Sequence, residues 1–253
     1  MTVELHHVPL GHERIAVLAY EARRPRDVTV VAGHGYSSSK QNLDPLCAFL
    51  ASQGFSVYAF DFPGHKLGAS GGRIRGVEDL LETMEAAVRF ARERGAPTTY
   101  VLGHSMGAAT ALCVAGRDPT VAGAVSIATG WGRPTVLDAL AARGAIDLRS
   151  SYVVGPTLQQ LSEAWQPLLQ DALDALAGRP VLFVAAERDA MIAPSSVQAL
   201  YERASEPKTI VAVASDHTYA GENSRTAVLQ WLSALHPRAG SRSAESPPPI
   251  PAQ

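Results

Sequence analysis

Ser105 lies in Tyr100-Val101-Leu102-Gly103-His104-Ser105-Met106-Gly107-Ala108-Ala109, a serine bracketed by two glycines. A serine hydroxyl is a poor nucleophile until a base takes its proton, and that base must be held in the right tautomer by a third group. Downstream the sequence supplies both. Asp189 stands in Glu187-Arg188-Asp189-Ala190-Met191-Ile192-Ala193-Pro194, and His217 in Ser215-Asp216-His217-Thr218-Tyr219-Ala220-Gly221. The chemistry such a set performs is acyl transfer: the base activates the serine, the serine attacks a carbonyl, and the acid orients the base. Glu187 is a rival acid two residues earlier. His236 is a second late histidine, but it closes a helix instead of following a strand. His34 and His104 flank the motifs and are assigned to loop hydrogen bonding.

G-x-S-x-G acts as a nucleophile elbow only between a strand and a helix. Residues 100–102 are β-branched and apolar, and small residues with helical character follow Ser105. Gly103 and Gly107 allow a tight turn and close helix packing. The helix N-terminus offers free N–H groups to an oxyanion. A second match, Gly68-Ala69-Ser70-Gly71-Gly72, follows Lys66-Leu67 and precedes glycine-rich basic residues, so it is a loop.

Strand patterns at 3–9 and 14–22 suggest an N-terminal antiparallel hairpin edge. Further strands are expected at 28–32, 55–60, 121–127, 181–186 and 209–213. Helices are expected from Asp44 (as N-cap, with Pro45 next), over 77–91, over 195–204 and from about 223 to 235. Ser37-Ser38-Ser39-Lys40 looks like a polar turn. Alternation of this kind predicts an α/β fold: a mostly parallel central sheet of about eight strands with helices on both faces. Functional groups in such sheets gather at the carboxyl ends of strands, where Ser105, Asp189 and His217 all fall. Asp61 closes strand 55–60 and is assigned to stabilising its turn. Residues 1–236 form one domain. Within it 131–179 lose regular alternation and predict a small helical cap of two to four short helices. Residues 237–253, with five prolines and almost no large apolar side chains, predict a disordered tail.

The 253 residues carry 22 basic and 24 acidic side chains, a formal net charge of −2. That balance gives no electrostatic case for nucleic acid or an anionic membrane. No segment reaches the roughly 18 apolar residues of a membrane span, and the N-terminus lacks a signal-peptide pattern. Cys47 and Cys113 fall in expected helices, predicting buried free thiols and a cytoplasmic setting. His6, His7 and His12 have no further ligands at a supporting spacing, so no metal is expected.

HGYSSS, DFPGHKLGASGG, LGHSMGAA, ERDAMIAP and SDHTYAG follow one another in this order. With them the chain resembles the α/β-hydrolase-fold serine hydrolases, in the group of esterases, monoacylglycerol lipases and serine aminopeptidases. The resemblance covers residues 28 to about 235. It departs at Gly64-His65-Lys66, where the family pattern usually continues Gly-His-Gly. The resemblance implies catalytic Ser105, Asp189 and His217, with the N–H groups of Tyr36 and Met106 as oxyanion hole. It implies hydrolysis of a small-molecule carboxylic ester through an acyl-enzyme, without metal or organic cofactor. The same triad would serve an amidase, a peptidase or an acyltransferase, and a non-catalytic binding protein on this fold is a third reading. The Tyr36 side chain, Trp131, Tyr152, Trp165 and Met191 are candidates for an apolar acyl or aryl pocket. A homodimer is compatible with the sequence.

Overall fold

The computed structural model describes residues 1–95, 97–132 and 149–238. Eight strands are formed: β1 Thr2–Leu10, β2 Glu13–Glu21, β3 Val28–Gly33, β4 Ser56–Phe60, β5 Thr98–His104, β6 Ala124–Ile127, β7 Val181–Ala186 and β8 Lys208–Val213. The helices are α1 Asp44–Ser52, α2 Val77–Glu93, α3 Met106–Arg117, α4 Leu158–Ala175, α5 Pro194–Arg203, α6 Ala220–Asn223 and α7 Arg225–Leu235. All strands join one sheet in the order β1-β2-β4-β3-β5-β6-β7-β8. β2 runs against both its neighbours, and every other pair is parallel. The expected α/β architecture with an antiparallel edge is therefore present.

Strands β3, β6 and β7 are buried at every position. This follows from their continuous Val, Ala, Leu and Phe content, which suits a sheet covered on both faces. Two clusters of buried side chains do the covering. Met84, Leu112, Leu161, Trp165, Phe183 and Leu200 belong to one, beneath α2 to α5. Leu46, Leu50, Phe55, Val125, Val228 and Leu232 belong to the other, beneath α1 and α7.

Within 131–179 the described residues hold helical residues 149 and 150 and one helix of 18 residues, α4. Its start is fixed by a capping box, in which Thr157 and Gln160 satisfy each other's backbone N–H groups. Leu161, Trp165, Leu169, Ala172 and Leu173 then keep helical spacing along the buried face. Pro167 is exposed, so the carbonyl it leaves without a backbone donor is on the solvent side, where the helix continues through it. The α4 face lies close on α3: a side-chain carbon at Gly116 would come within 2.7 Å of the Ala172 backbone. Residues 133–148 of the expected cap, and 239–253 of the expected tail, lie outside the described residues. No helix among the described residues is long and apolar enough to cross a membrane.

Candidate active site

The centre of the sheet delivers Ser105 between β5 and α3 with φ 53° and ψ −115°. That backbone region is strained for a residue with a side chain, and it persists only where the surroundings fix it. Here the Ser105 N–H donates to the Ile127 carbonyl at 2.8 Å, and its own carbonyl accepts from Thr129 Oγ1 at 2.9 Å and from the Ala108 N–H. Only glycine fits on either side. A Cβ at Gly103 would lie 2.0 Å from the Gly107 carbonyl carbon, and one at Gly107 would lie 2.2 Å from the Gly33 oxygen. Ser70, in the second G-x-S-x-G, is in a loop. Its hydroxyl donates to the Asp61 carbonyl and accepts the Ala16 N–H, so it joins that loop to β2.

Ser105, His217 and Asp189 are brought together. His217 Nε2 is 3.0 Å from Ser105 Oγ, and Nδ1 is 2.7 Å from Asp189 Oδ2. The second carboxylate oxygen of Asp189 accepts the N–H groups of Met191 and Ile192, each at 2.8 Å, which locks the carboxylate plane. Glu187 is exposed, its N–H continuing the β7–β8 ladder to the Val213 carbonyl, and Asp189 is the acid that meets the imidazole. His236 closes α7 and contacts the Tyr100 hydroxyl.

Two other histidines frame the site as neutral spacers. His104 Nε2–H donates to the His217 carbonyl at 2.8 Å, and burial together with the nearby His217 lowers its pKa to about 3. His34 donates from Nδ1 to the Gly35 carbonyl at 2.8 Å and accepts the Phe62 N–H on Nε2 at 3.1 Å. Burial, then the neighbouring His65, lowers the His34 pKa to about 3. Each therefore works as a fixed hydrogen-bonding group in the loops around Ser105.

Lys40, at the end of the polar turn expected at residues 37–40, is buried. It is 1% exposed, and its ammonium meets Asp61, itself fully buried. Asp61 Oδ1 also accepts the Lys40 N–H at 2.8 Å, and Oδ2 accepts the Ala69 N–H at 2.7 Å. Burial alone would raise the Asp61 pKa, but the hydrogen bonds from Lys40 outweigh it and hold the carboxyl below its ordinary value. The pair ties the loop after β3 to the loop after β4, beneath the Tyr36 turn. A lysine after three serines gives no sign of burial, because its partner lies in the loop after another strand.

Met106 is the first residue of α3, so its N–H has no intrahelical acceptor, and Tyr36 follows β3 on the other side of Ser105. Two cavities open from the Ser105–His217 pair, with Leu158 and Met191 between them. One is narrow, about 50 Å³, and is walled by Met106, Ala109, Trp165, Leu169 and Ile192. The other is about 310 Å³ and is walled by Tyr36, Ser37, Ser38, Asn42, Arg149 and Thr218. Tyr36 donates from its hydroxyl to the Pro156 carbonyl at 3.1 Å. Of the expected pocket residues, Tyr36, Trp165 and Met191 are thus at the cavities. Trp131 and Tyr152 line neither. The Trp131 ring stacks under the Arg203 guanidinium on α5 at 4.4 Å, and Tyr152 is 44% exposed. Leu158, Leu169, Ile192 and Arg149 were not singled out in sequence; Leu158 and Leu169 carried a signal in the α4 spacing, Arg149 none. Among the described residues no group of three or more His, Cys, Asp or Glu side chains could hold a metal.

A family model described as serine aminopeptidase, S33, matches residues 24–152. The dihydrolipoyllysine-residue acetyltransferase component of the acetoin cleaving system of Cupriavidus necator is 28% identical over 137 residues, covering 53% of this chain. The match spans only 34% of that relative's length. Among solved structures, an esterase of Pyrococcus furiosus is similar with a TM-score of 0.69 and 21% identity, covering 92% of each chain. Est1E from Butyrivibrio proteoclasticus, bound to ferulic acid, is similar with a TM-score of 0.70 and 14% identity, covering 90% of this chain and 98% of that one.

Proposed function

Because the chain belongs to the serine aminopeptidase S33 family and has the α/β-hydrolase fold, we propose that it is a serine hydrolase of carboxylic esters. The observation that carries this reading is the continuous hydrogen-bonded chain from Asp189 through His217 to Ser105. His217 Nε2 takes the Ser105 proton as Oγ attacks the ester carbonyl. The N–H groups of Met106 and Tyr36 stabilise the developing oxyanion. Asp189 holds the imidazole with Nδ1 protonated and stabilises its cationic form. The alcohol leaves with the proton from His217. Water, deprotonated by the same imidazole, then attacks the acyl-enzyme and frees the acid. The α4 segment acts as the cap that shapes both cavities, and the two buried free cysteines suit a cytoplasmic setting.

The family description brings peptide cleavage forward as the second reading. An aminopeptidase must hold a protonated α-amino group, which calls for a carboxylate beside the nucleophile. Among the described residues no carboxylate lines either cavity, which favours the ester. Transfer of the acyl group to an acceptor other than water belongs to the same second reading and uses the same residues.

The test is hydrolysis of p-nitrophenyl esters from acetate to decanoate by wild type, Ser105→Ala and His217→Ala. Wild-type turnover that depends on chain length, lost on the order of 10⁴-fold or more in both variants, is expected. A folded wild type with no turnover on any of these esters refutes the ester reading.

A further inference from the structure

The two cavities at Ser105 differ in size and also in charge. Around the narrow one Met106, Ala109, Leu158, Trp165, Leu169 and Ile192 form an apolar wall, with the neutral polar side chains of Thr129, Ser162 and Gln166 beside them, and there is little room beyond a short or slender group. Around the wide one, Ser37, Ser38, Asn42 and Thr218 supply neutral polar groups, and Arg149 supplies a cation. The Arg149 Nη1 stands 3.5 Å from Ser37 Oγ, in the loop that carries the Tyr36 N–H. No Asp or Glu among the described residues lines this cavity.

From this asymmetry we infer that the substrate is an ester with one small apolar half and one half bearing an anionic group of the carboxylate kind, bound by Arg149 in the wide cavity. The inference rests on the ester-hydrolase reading above and names its substrate class. Three features support it. A guanidinium fork meets a carboxylate through two parallel N–H···O bonds, so it reads shape as well as charge. The neighbouring hydroxyl and amide groups can complete the anion's hydrogen bonds, which an apolar substituent would leave unmet. A substrate carboxylate also faces no like charge from the described walls. Arg149 is then a specificity-determining residue: it selects which ester is turned over and takes no part in the bond making at Ser105.

The experiment compares esters in matched pairs: 4-butyryloxybenzoate against its neutral methyl ester, and monophenyl adipate against phenyl hexanoate. The first pair places the carboxylate on the alcohol half, the second on the acyl half. The readout is the ratio of kcat/KM for the anionic over the neutral member, in wild type, Arg149→Gln and Arg149→Lys. Because each ratio is internal to one protein, losses of folding or general activity cancel. In wild type one pair should favour its anionic member by about ten- to a hundredfold, the range of a charge-assisted hydrogen bond at a solvent-open site. The preference should vanish in Arg149→Gln and return in part in Arg149→Lys, and 0.5 M salt should reduce it. Neutral esters turned over with no anionic preference in either pair, or a preference that survives Arg149→Gln, would overturn this inference and leave the ester hydrolase standing. A wild type inactive on all four esters refutes both.

Discussion

Replacing Lys40 by methionine removes the ammonium that meets Asp61 beneath the Tyr36 turn. In the native protein Asp61 is fully buried and takes three hydrogen-bond or ionic contacts at its carboxylate: the Lys40 ammonium and N–H, and the Ala69 N–H. His34 is neutral, so without Lys40 the carboxylate keeps only dipoles. Breaking a buried pair from one side costs about 3–5 kcal/mol, out of a total stability of about 5–15 kcal/mol for a domain. The two backbone N–H bonds to Asp61 survive, so the lower end of that range is expected. Asp61→Asn strands the ammonium instead and should cost a similar amount. The double variant has neither charge, so its loss should fall short of the sum by about 2 kcal/mol or more. Urea unfolding at pH 7 on the four proteins measures this cycle directly. A pH series adds a sign. The wild-type Asp61 pKa is depressed, so its contribution to stability is present at neutral pH and lost as pH falls through the carboxylate range. In Lys40→Met the same pKa rises, so the deficit relative to wild type should shrink on acidification. Single variants costing under about 1 kcal/mol and adding without coupling would refute the claim that this pair holds the loop.

Gly107→Ala pushes a methyl group to 2.2 Å from the Gly33 oxygen and should destabilise the fold by about 3 kcal/mol or more, whereas Gly76→Ala, with nothing within 4 Å, should leave the melting temperature near that of wild type. Equal melting temperatures for the two would contradict the close approach at the elbow. Asp189→Asn can keep its bonds from the Met191 and Ile192 N–H groups but presents an amide to His217 Nδ1, so kcat on a neutral ester should fall by about 10⁴-fold with little change in stability. A drop below tenfold would mean that Asp189 does not orient the base. His34 and His104 are held neutral with pKa values of about 3, so the unfolded chain binds more protons below its histidine pKa of about 6.5, and stability should fall as pH drops from there towards 3. Each group contributes up to about 1.4 kcal/mol per pH unit in that window. His104→Gln should therefore lower the slope by about one proton's worth between pH 6 and 4, and an unchanged slope by denaturant unfolding would dismiss the assignment.

Ser105, Asp189 and His217 were legible as a set because each is written next to a strand end. Val181–Ala186, buried on both faces, is an apolar run that leads to Asp189, and Lys208–Val213, a partly buried edge strand, leads to His217 through its apolar second half. What local pattern could not supply was the choice between side chains that share a segment or a residue type. Glu187 and Asp189 differ only in that the first still belongs to the β7–β8 ladder and the second lies beyond the turn. Trp131 and Tyr152 suit an apolar pocket by type, yet aromatic character does not say which way a ring points. Arg203, more than seventy positions along the chain, stacks on Trp131, and Tyr152 faces solvent. Lys40 was hidden for the same reason. Its burial is set by the pairing of β3 with β4, which brings Asp61 beneath it across 21 positions of chain.

The sheet order explains why so much structure surrounds His217. β8 is three places from β5, about 14 Å at the usual strand spacing, and His217 stands only four positions after Val213. Four extended residues reach about 13–14 Å, so the chain leaving β8 must turn back at once over the ends of β7 and β6 with almost no slack. A segment under that constraint needs fixing along its length. The Arg188 N–H holds the Ser215 carbonyl at 2.8 Å near the start, and His104 holds the His217 carbonyl at 2.8 Å at the far end. The residue just before Ser105 therefore anchors the His217 backbone, while Asp189 holds the imidazole of the same residue from the strand it passes over. The histidine of the LGHSMGAA stretch can do this because β5 brings it to the far end of the returning loop, where its Nε2 meets the His217 carbonyl.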